Sequence, residues 1–182
     1  NLLDGQSLRN AGGNDAGIRL LDANGDGYLD VLLGNENERA MRIWQPSKQE
    51  YQTVESPLNV VTKSGETTGL KHGVFWANGP VAFLYRTENS EGAWVRSENG
   101  VEEKGSLISE LRCEGKPVQT VLKGSGNGVI VYDVDGDSID ELIVAYPDQH
   151  GVLKWNQSRQ TWEELNYSWP EDLHLIDDEG RD

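Results

Sequence analysis

The stretch Asp22-Ala23-Asn24-Gly25-Asp26-Gly27-Tyr28-Leu29-Asp30 sets oxygen-bearing side chains at its first, third, fifth and ninth positions, with glycines at the fourth and sixth. Alternate side chains of so short a loop converge, glycine permits the tight turn, and the backbone carbonyl of Tyr28 at the seventh position can add a ligand. Carboxylates packed this densely repel one another unless a cation neutralises them. Every side-chain donor is a hard oxygen, which favours Ca²⁺ over zinc. A second copy stands near the other end of the chain, as Asp133-Val134-Asp135-Gly136-Asp137-Ser138-Ile139-Asp140-Glu141.

The shift that carries Asp22 onto Asp133 aligns more than these loops. Gly17 falls on Gly128, Leu20 on Val131, Leu33 on Val144, Trp44 on Trp155 and Tyr51 on Trp162, with no gap. The chain is a duplication. Between the copies, residues 73–85 and Ala93-Trp94-Val95-Arg96 read as a third, degenerate unit. Its loop is expected to have shrunk to Ala77-Asn78-Gly79-Pro80, too poor in oxygen to hold an ion. Taking Gly17, Gly73 and Gly128 as starting points divides the chain into units 17–72, 73–127 and 128–182. Glu179-Gly180-Arg181-Asp182 resembles Gly12-Gly13-Asn14-Asp15, so the period predicts that a further copy opens just past Asp182.

Within a unit the apolar residues come in short runs bounded by Gly, Asn and Asp, the pattern of β-strands. Strands are predicted at 18–21, 29–33, 40–44 and 50–54, and again at 129–132, 142–145, 151–155 and 161–165. Turns are predicted at 45–49 and 156–160. Residues 103–112 show a weak amphipathic tendency without a sustained helical period. Four short strands per unit joined by tight turns predict an all-β fold, a β-propeller segment of about three four-stranded antiparallel blades. The aligned tryptophans are expected to pack between neighbouring blades.

The chain of 182 residues carries a formal net charge of −15, which argues against nucleic acid or an anionic membrane surface as partner. No apolar run approaches the ~18 residues of a membrane span. Eight of the 31 acidic residues lie in the two loops, so two bound Ca²⁺ would move the formal charge from −15 to −11. One cysteine, Cys113, excludes an internal disulfide and a cysteine-based zinc site, and is expected to be a partly buried thiol.

The first loop shares its opening with an EF-hand, but that motif needs a Glu at position twelve and flanking helices; here Leu33 and strands stand in their place. Residues 17–34, and less closely 128–147, resemble the FG-GAP or VCBS-type repeat, the blade of integrin α-subunit propellers and of many secreted bacterial proteins. The resemblance implies Ca²⁺ at Asp22, Asn24, Asp26, Asp30 and the Tyr28 carbonyl. In the second loop it implies Asp133, Asp135, Asp137, Glu141 and the Ile139 carbonyl, although the family usually has Asp at position nine and this loop has Ser138 at position six. Two Ca²⁺ sites are therefore expected.

His72, His150 and His174 lie far apart, and no nucleophile elbow, P-loop or zinc-protease motif occurs. Acidic pairs such as Glu102/Glu103 and Glu163/Glu164 read as solvated charges rather than a glycosidase dyad. The expectation is a non-enzymatic, calcium-binding scaffold or interaction module of an extracytoplasmic protein, with a protein or carbohydrate ligand that the residues do not name. Because three blades cannot close a ring, further blades are expected from a longer chain or a second subunit, such as a homodimer. The alternative is the non-catalytic or substrate-binding portion of a larger secreted enzyme, carbohydrate-active or haem-containing.

Overall fold

The computed structural model describes residues 2, 3, 5–124, 126, 128–168, 175 and 177. Strands β1 (Ile18–Leu21), β2 (Asp30–Gly34), β3 (Arg39–Gln45) and β4 (Glu50–Glu55) form an antiparallel sheet in sequence order. A second sheet follows the same order through β5 (Lys71–Gly73), β6 (Ala82–Arg86), β7 (Glu91–Ser97) and β8 (Gly100–Glu103). Then come one helical turn, α1 (Ser106–Ser109), and a hairpin of β9 (Arg112–Cys113) and β10 (Lys116–Pro117). The third sheet is β11 (Val129–Tyr132), β12 (Glu141–Tyr146), β13 (Gln149–Asn156) and β14 (Thr161–Leu165). The all-β expectation and the four-stranded antiparallel sheets are thus observed. The weak amphipathic stretch at 103–112 forms only the single turn of α1.

The duplication holds pair by pair in the strand register. Leu21 faces Asp30 as Tyr132 faces Glu141, and Val31 faces Arg42 as Leu142 faces Leu153. Trp44 faces Tyr51 as Trp155 faces Trp162. The turns joining the third and fourth strands end on Gln49 and Gln160, with φ of 56° and 55° in the left-handed region.

Register corrects the reading of the middle unit. Gly73 faces Ala82, so residues 74–81 bridge β5 and β6 just as 22–29 and 133–140 bridge their strands. The loop has kept its length and lost its carboxylates, with Asn78 alone offering a side-chain oxygen. The counterpart of Gly17 and Gly128 is then Gly69, which precedes Gly73 by the same interval as Gly17 precedes Leu21. Gly69 and Gly17 both have φ near +70°, at 70° and 75°. A Cβ on Gly17 would stand 2.8 Å from the Gly34 carbonyl oxygen, and one on Gly69 2.7 Å from that of Thr120. Both positions combine a left-handed backbone with a close backbone approach, and only glycine satisfies both.

Hydrogen bonds around these glycines repeat as well. Val60 and Val61 donate to the Gly34 carbonyl, Thr120 and Val121 to that of Arg86, and Leu175 to that of Ala145. Gly34, Arg86 and Ala145 follow Asp30, Ala82 and Glu141, the residues that close the three loops, at one common interval. Small hairpins bridged at Arg9–Asp15 and Val61–Thr67 precede Gly17 and Gly69. The period is therefore not uniform: Gly69 to Gly128 is a longer interval than Gly17 to Gly69, and the α1–β9–β10 insertion lies within it. The expected echo of the first hairpin at 179–182 lies outside the described residues.

Two compact units are distinguished: Asn1–Thr68 with Arg96–Glu102, and Gly69–Val95 with Glu103–Asp182. In the first, Ile18, Val31, Leu33 and Ala40 form a small core. In the second, residues of β6, α1, β11, β12 and β13 share a larger one that includes Leu84, Leu107, Val129, Leu142 and Leu153. Trp162 joins that core, with ring centroids 5.1 Å from Phe75 and 5.4 Å from Trp155, and its indole N–H donates to Leu107 O at 2.7 Å. It therefore packs across repeats, although the aligned pair for which such packing is expected is Trp44 and Trp155, and Trp155 meets Trp162 of its own sheet. Trp44 likewise tilts against Tyr51 within its own sheet at 4.9 Å.

Cys113 is fully buried, and a Cβ on Gly151 would approach its Sγ to 2.7 Å. Burial, reinforced by Glu164 and Glu114, pushes the thiol up to about 12. The thiolate is the reactive form, so iodoacetamide at pH 8 should leave the native protein unlabelled and modify Cys113 fully in denaturant. Rapid labelling of the native chain would contradict this packing.

Candidate metal loops

The two acidic loops carry the same lattice of hydrogen bonds. Asp22 Oδ1 accepts from the N–H of Gly25 and Asp26, and its Oδ2 from Gly27 at 2.8 Å. Asp133 does the same with Gly136, Asp137 and Ser138. Asn24 and Asp135 accept from the N–H of Asp26 and Asp137, which in turn accept from Tyr28 and Ile139. The ninth residue closes each loop: Asp30 Oδ2 accepts from Ala23 N at 2.9 Å, and Glu141 Oε2 from Val134 N at 2.9 Å. Ser138 holds the left-handed φ of 67° where the first loop has Gly27 at 83°. The substitution at position six therefore preserves the turn.

Glu141, and not the adjacent Asp140, turns into the second loop. Asp140 instead clasps the middle repeat: its N–H donates to Val74 O at 2.7 Å and its Oδ2 accepts from Val74 N at 2.7 Å. Gly73 makes room for this clasp, since a Cβ there would lie 2.8 Å from Asp140 Oδ2.

Asp30 and Glu141 are both fully buried. Desolvation raises the Asp30 carboxyl above the ordinary range, against hydrogen bonds from Trp44 and Ala23 that lower it; Asp26 and Asp22 add to the rise. Arg96 is the cationic group that feels Asp30: burial lowers its guanidinium and the Asp30 charge partly restores it.

The second loop contains a cation that the motif did not announce. Lys154 Nζ lies 3.0 Å from Asp135 Oδ2, 2.7 Å from Asp137 Oδ2 and 2.7 Å from Glu141 Oε1. The first two contacts are hydrogen bonds; Glu141 Oε1 is held at ion-pair distance without hydrogen-bond angles. Burial would lower the Lys154 ammonium, but its hydrogen bonds to Asp137 and Asp135 and the neighbouring Glu141 charge hold it above the ordinary range. The hydrogen bond from Lys154 correspondingly holds the Asp137 carboxyl below its own. Continuing the β12–β13 register by one step sets Lys154 opposite Glu141, while the matching step in β2–β3 sets Ile43 opposite Asp30.

Oxygens sharing one Ca²⁺ at about 2.3–2.6 Å lie within roughly 5 Å of one another. Asp133, Asp135 and Glu141 offer ligand atoms that all fall within 4.8 Å of one another, so this donor set fits the ion. Among the described residues, Asp22, Asp26 and Asp30 are not gathered so closely, and Asn24 Nδ2 bonds Asp26 Oδ2 at 3.0 Å.

In the middle loop aromatic packing replaces the acids. Phe75 is fully buried in the core, and Trp76, in the place of Asn24 and Asp135, folds over Gly79 with Lys104 Nζ 5.8 Å from its ring centroid. Ala82 takes the place of Asp30 and Glu141. Of the histidines, His72 tilts against Phe83 at 6.3 Å, His150 lies half-buried on β13, and His174 lies outside the described residues.

Neither the family models nor the curated proteins compared with this chain match it.

Proposed function

We propose that this chain is a calcium-braced β-repeat scaffold, a β-propeller-like segment of an extracytoplasmic protein that presents its sheets as an interaction module. One observation carries the reading: the loops Asp22–Asp30 and Asp133–Glu141 repeat one hydrogen-bond lattice, and each ends on a fully buried carboxylate. A lattice that commits its backbone N–H groups to the same acids twice is suited to fixing oxygens around a cation. Bound Ca²⁺ would supply neutralising charge. Asp22, Asn24, Asp26, Asp30 and the Tyr28 carbonyl would hold it in the first loop, and Asp133, Asp135, Asp137, Glu141 and the Ile139 carbonyl in the second. The protein's own groups do the rest. Asp30 ties the loop to β3 through the N–H of Trp44, and Glu141 ties its loop to Val134.

Calorimetric titration with Ca²⁺ tests the reading. Heat of binding is expected at the millimolar level or tighter, the range of extracellular modules. Asp26→Asn should remove the first-loop component and leave the second. Protons compete for the same oxygens. With the Asp30 carboxyl raised and that of Asp137 lowered, acidification should empty the first loop at a higher pH than the second. Absence of any Ca²⁺ heat at neutral pH would refute the reading.

A further inference from the structure

We propose that Lys154 is the resident cation of the second acidic loop: its tethered ammonium draws Asp135, Asp137 and Glu141 together, and a divalent ion must displace it. Three carboxylates from one short stretch meet a single Nζ at 2.7 to 3.0 Å, and one of them, Glu141, is fully buried. Lys154 has its side chain 22% exposed and Glu141 is fully buried, so water screens that contact weakly, whereas Asp135 and Asp137, at 39% and 43% exposure, are screened more. The register explains the placement, because the β12–β13 pairing, continued one step past Leu142–Leu153, brings Lys154 opposite Glu141. It also explains the asymmetry between loops. The same register position in the first sheet holds Ile43, which is buried and carries no charge.

The two loops therefore differ in what holds them. The second is braced by the chain's own ammonium and stays ordered without metal. An ion entering it exchanges for Lys154, whereas among the described residues no lysine pairs with the acids of the first loop. The exchange half of this inference rests on the calcium reading above; the bracing half does not.

Hydrogen exchange resolved by amide, on the full chain in EDTA and then in millimolar CaCl₂, separates the two. In EDTA, Lys154→Met should cost the amides of Val134, Gly136 and Ser138 about tenfold or more in protection, while Lys154→Arg keeps it. Gly25 and Gly27 of the first loop should not change in either variant and serve as the internal control. Added Ca²⁺ should restore the second loop of Lys154→Met at a lower concentration than that needed to affect the wild-type loop. Should the Met variant not fold in either buffer, Lys154→Gln replaces it, retaining a polar head without the charge.

Equal second-loop protection in wild type and the uncharged variant in EDTA would overturn the bracing role, whatever Ca²⁺ does. Loss of protection in EDTA with no gain in Ca²⁺ affinity would overturn the exchange. If Ca²⁺ leaves Gly25 and Gly27 unchanged in the wild type, the calcium reading fails at the first loop, and the EDTA comparison still decides the role of Lys154.

Discussion

Asp30→Ala should destabilise the protein by about 2–4 kcal/mol and abolish the first loop's response to Ca²⁺. Asp30 is fully buried, and its two oxygens accept from Ala23 N at 2.9 Å and Trp44 N at 2.8 Å. Truncation leaves two backbone donors unpaired, each costing about 1–3 kcal/mol where water cannot replace the acceptor. Relief of the carboxylate's own desolvation offsets part of that loss, which is why the lower half of the sum is expected. Urea unfolding in EDTA measures the stability term, and the same experiment in Ca²⁺ measures the lost response. A change below about 0.5 kcal/mol would show that Asp30 does not clasp the loop to β3.

Arg86→Met should cost about 2–4 kcal/mol. The guanidinium is buried under the insertion that lengthens the middle repeat. Its Nη1 donates to Leu111 O at 2.9 Å, its Nη2 donates to Ile108 O, and its Nε bonds Glu91 Oε2 at 2.7 Å. Glu91 is 49% exposed, so the ion pair itself contributes little. Most of the loss comes from the charge-assisted hydrogen bonds to Ile108 O and Leu111 O, which keep only their backbone donors, Leu111 N and Val118 N. Lys63–Glu36, a pair of similar length with side chains 84% and 49% exposed, provides the contrast. Lys63→Ala should change stability by about 0.5 kcal/mol or less. Comparable losses for both substitutions would mean that burial does not set the value of these cations.

Much of the fold was legible because the duplication is gapless. Leu20 and Val131, or Trp44 and Trp155, fall on one another in sequence, so strand order, register and turn lengths follow from a single shift. The middle repeat was harder to read. Gly73 attracts the eye as the start of a strand–turn–strand run, but it ends β5, and its small size serves the Asp140 clasp. The true counterpart, Gly69, is recognisable by the glycine one turn upstream: Gly13, Gly65 and Gly124 share φ values of 81°, 85° and 83°. The middle loop looked shortened because Trp76 and Ala82 replaced its acids, and composition conceals length once the acidic landmarks are gone.

The candidate site was legible in its nine-position motif and not in its surroundings. Alternating oxygens mark the loop-lining residues, but Asp140 and Glu141 are adjacent acids whose roles only the strand register separates. Lys154 lies on the strand after the one that Glu141 opens, and it belongs to no motif. Pairing β12 with β13 would have brought it opposite Glu141 on paper. The residue with the strongest electrostatic hold on the loop is thus set by hairpin geometry rather than by loop composition.

The most direct test of calcium bracing is a pair of thermal unfolding curves of the intact chain, one in EDTA and one in ~1 mM free Ca²⁺. At that concentration a site with a dissociation constant of roughly 0.1–1 mM gains about 0.4–1.4 kcal/mol. Calcium bracing predicts an upward shift of several degrees that Asp26→Asn reduces. Superimposable curves in EDTA and Ca²⁺ would contradict it.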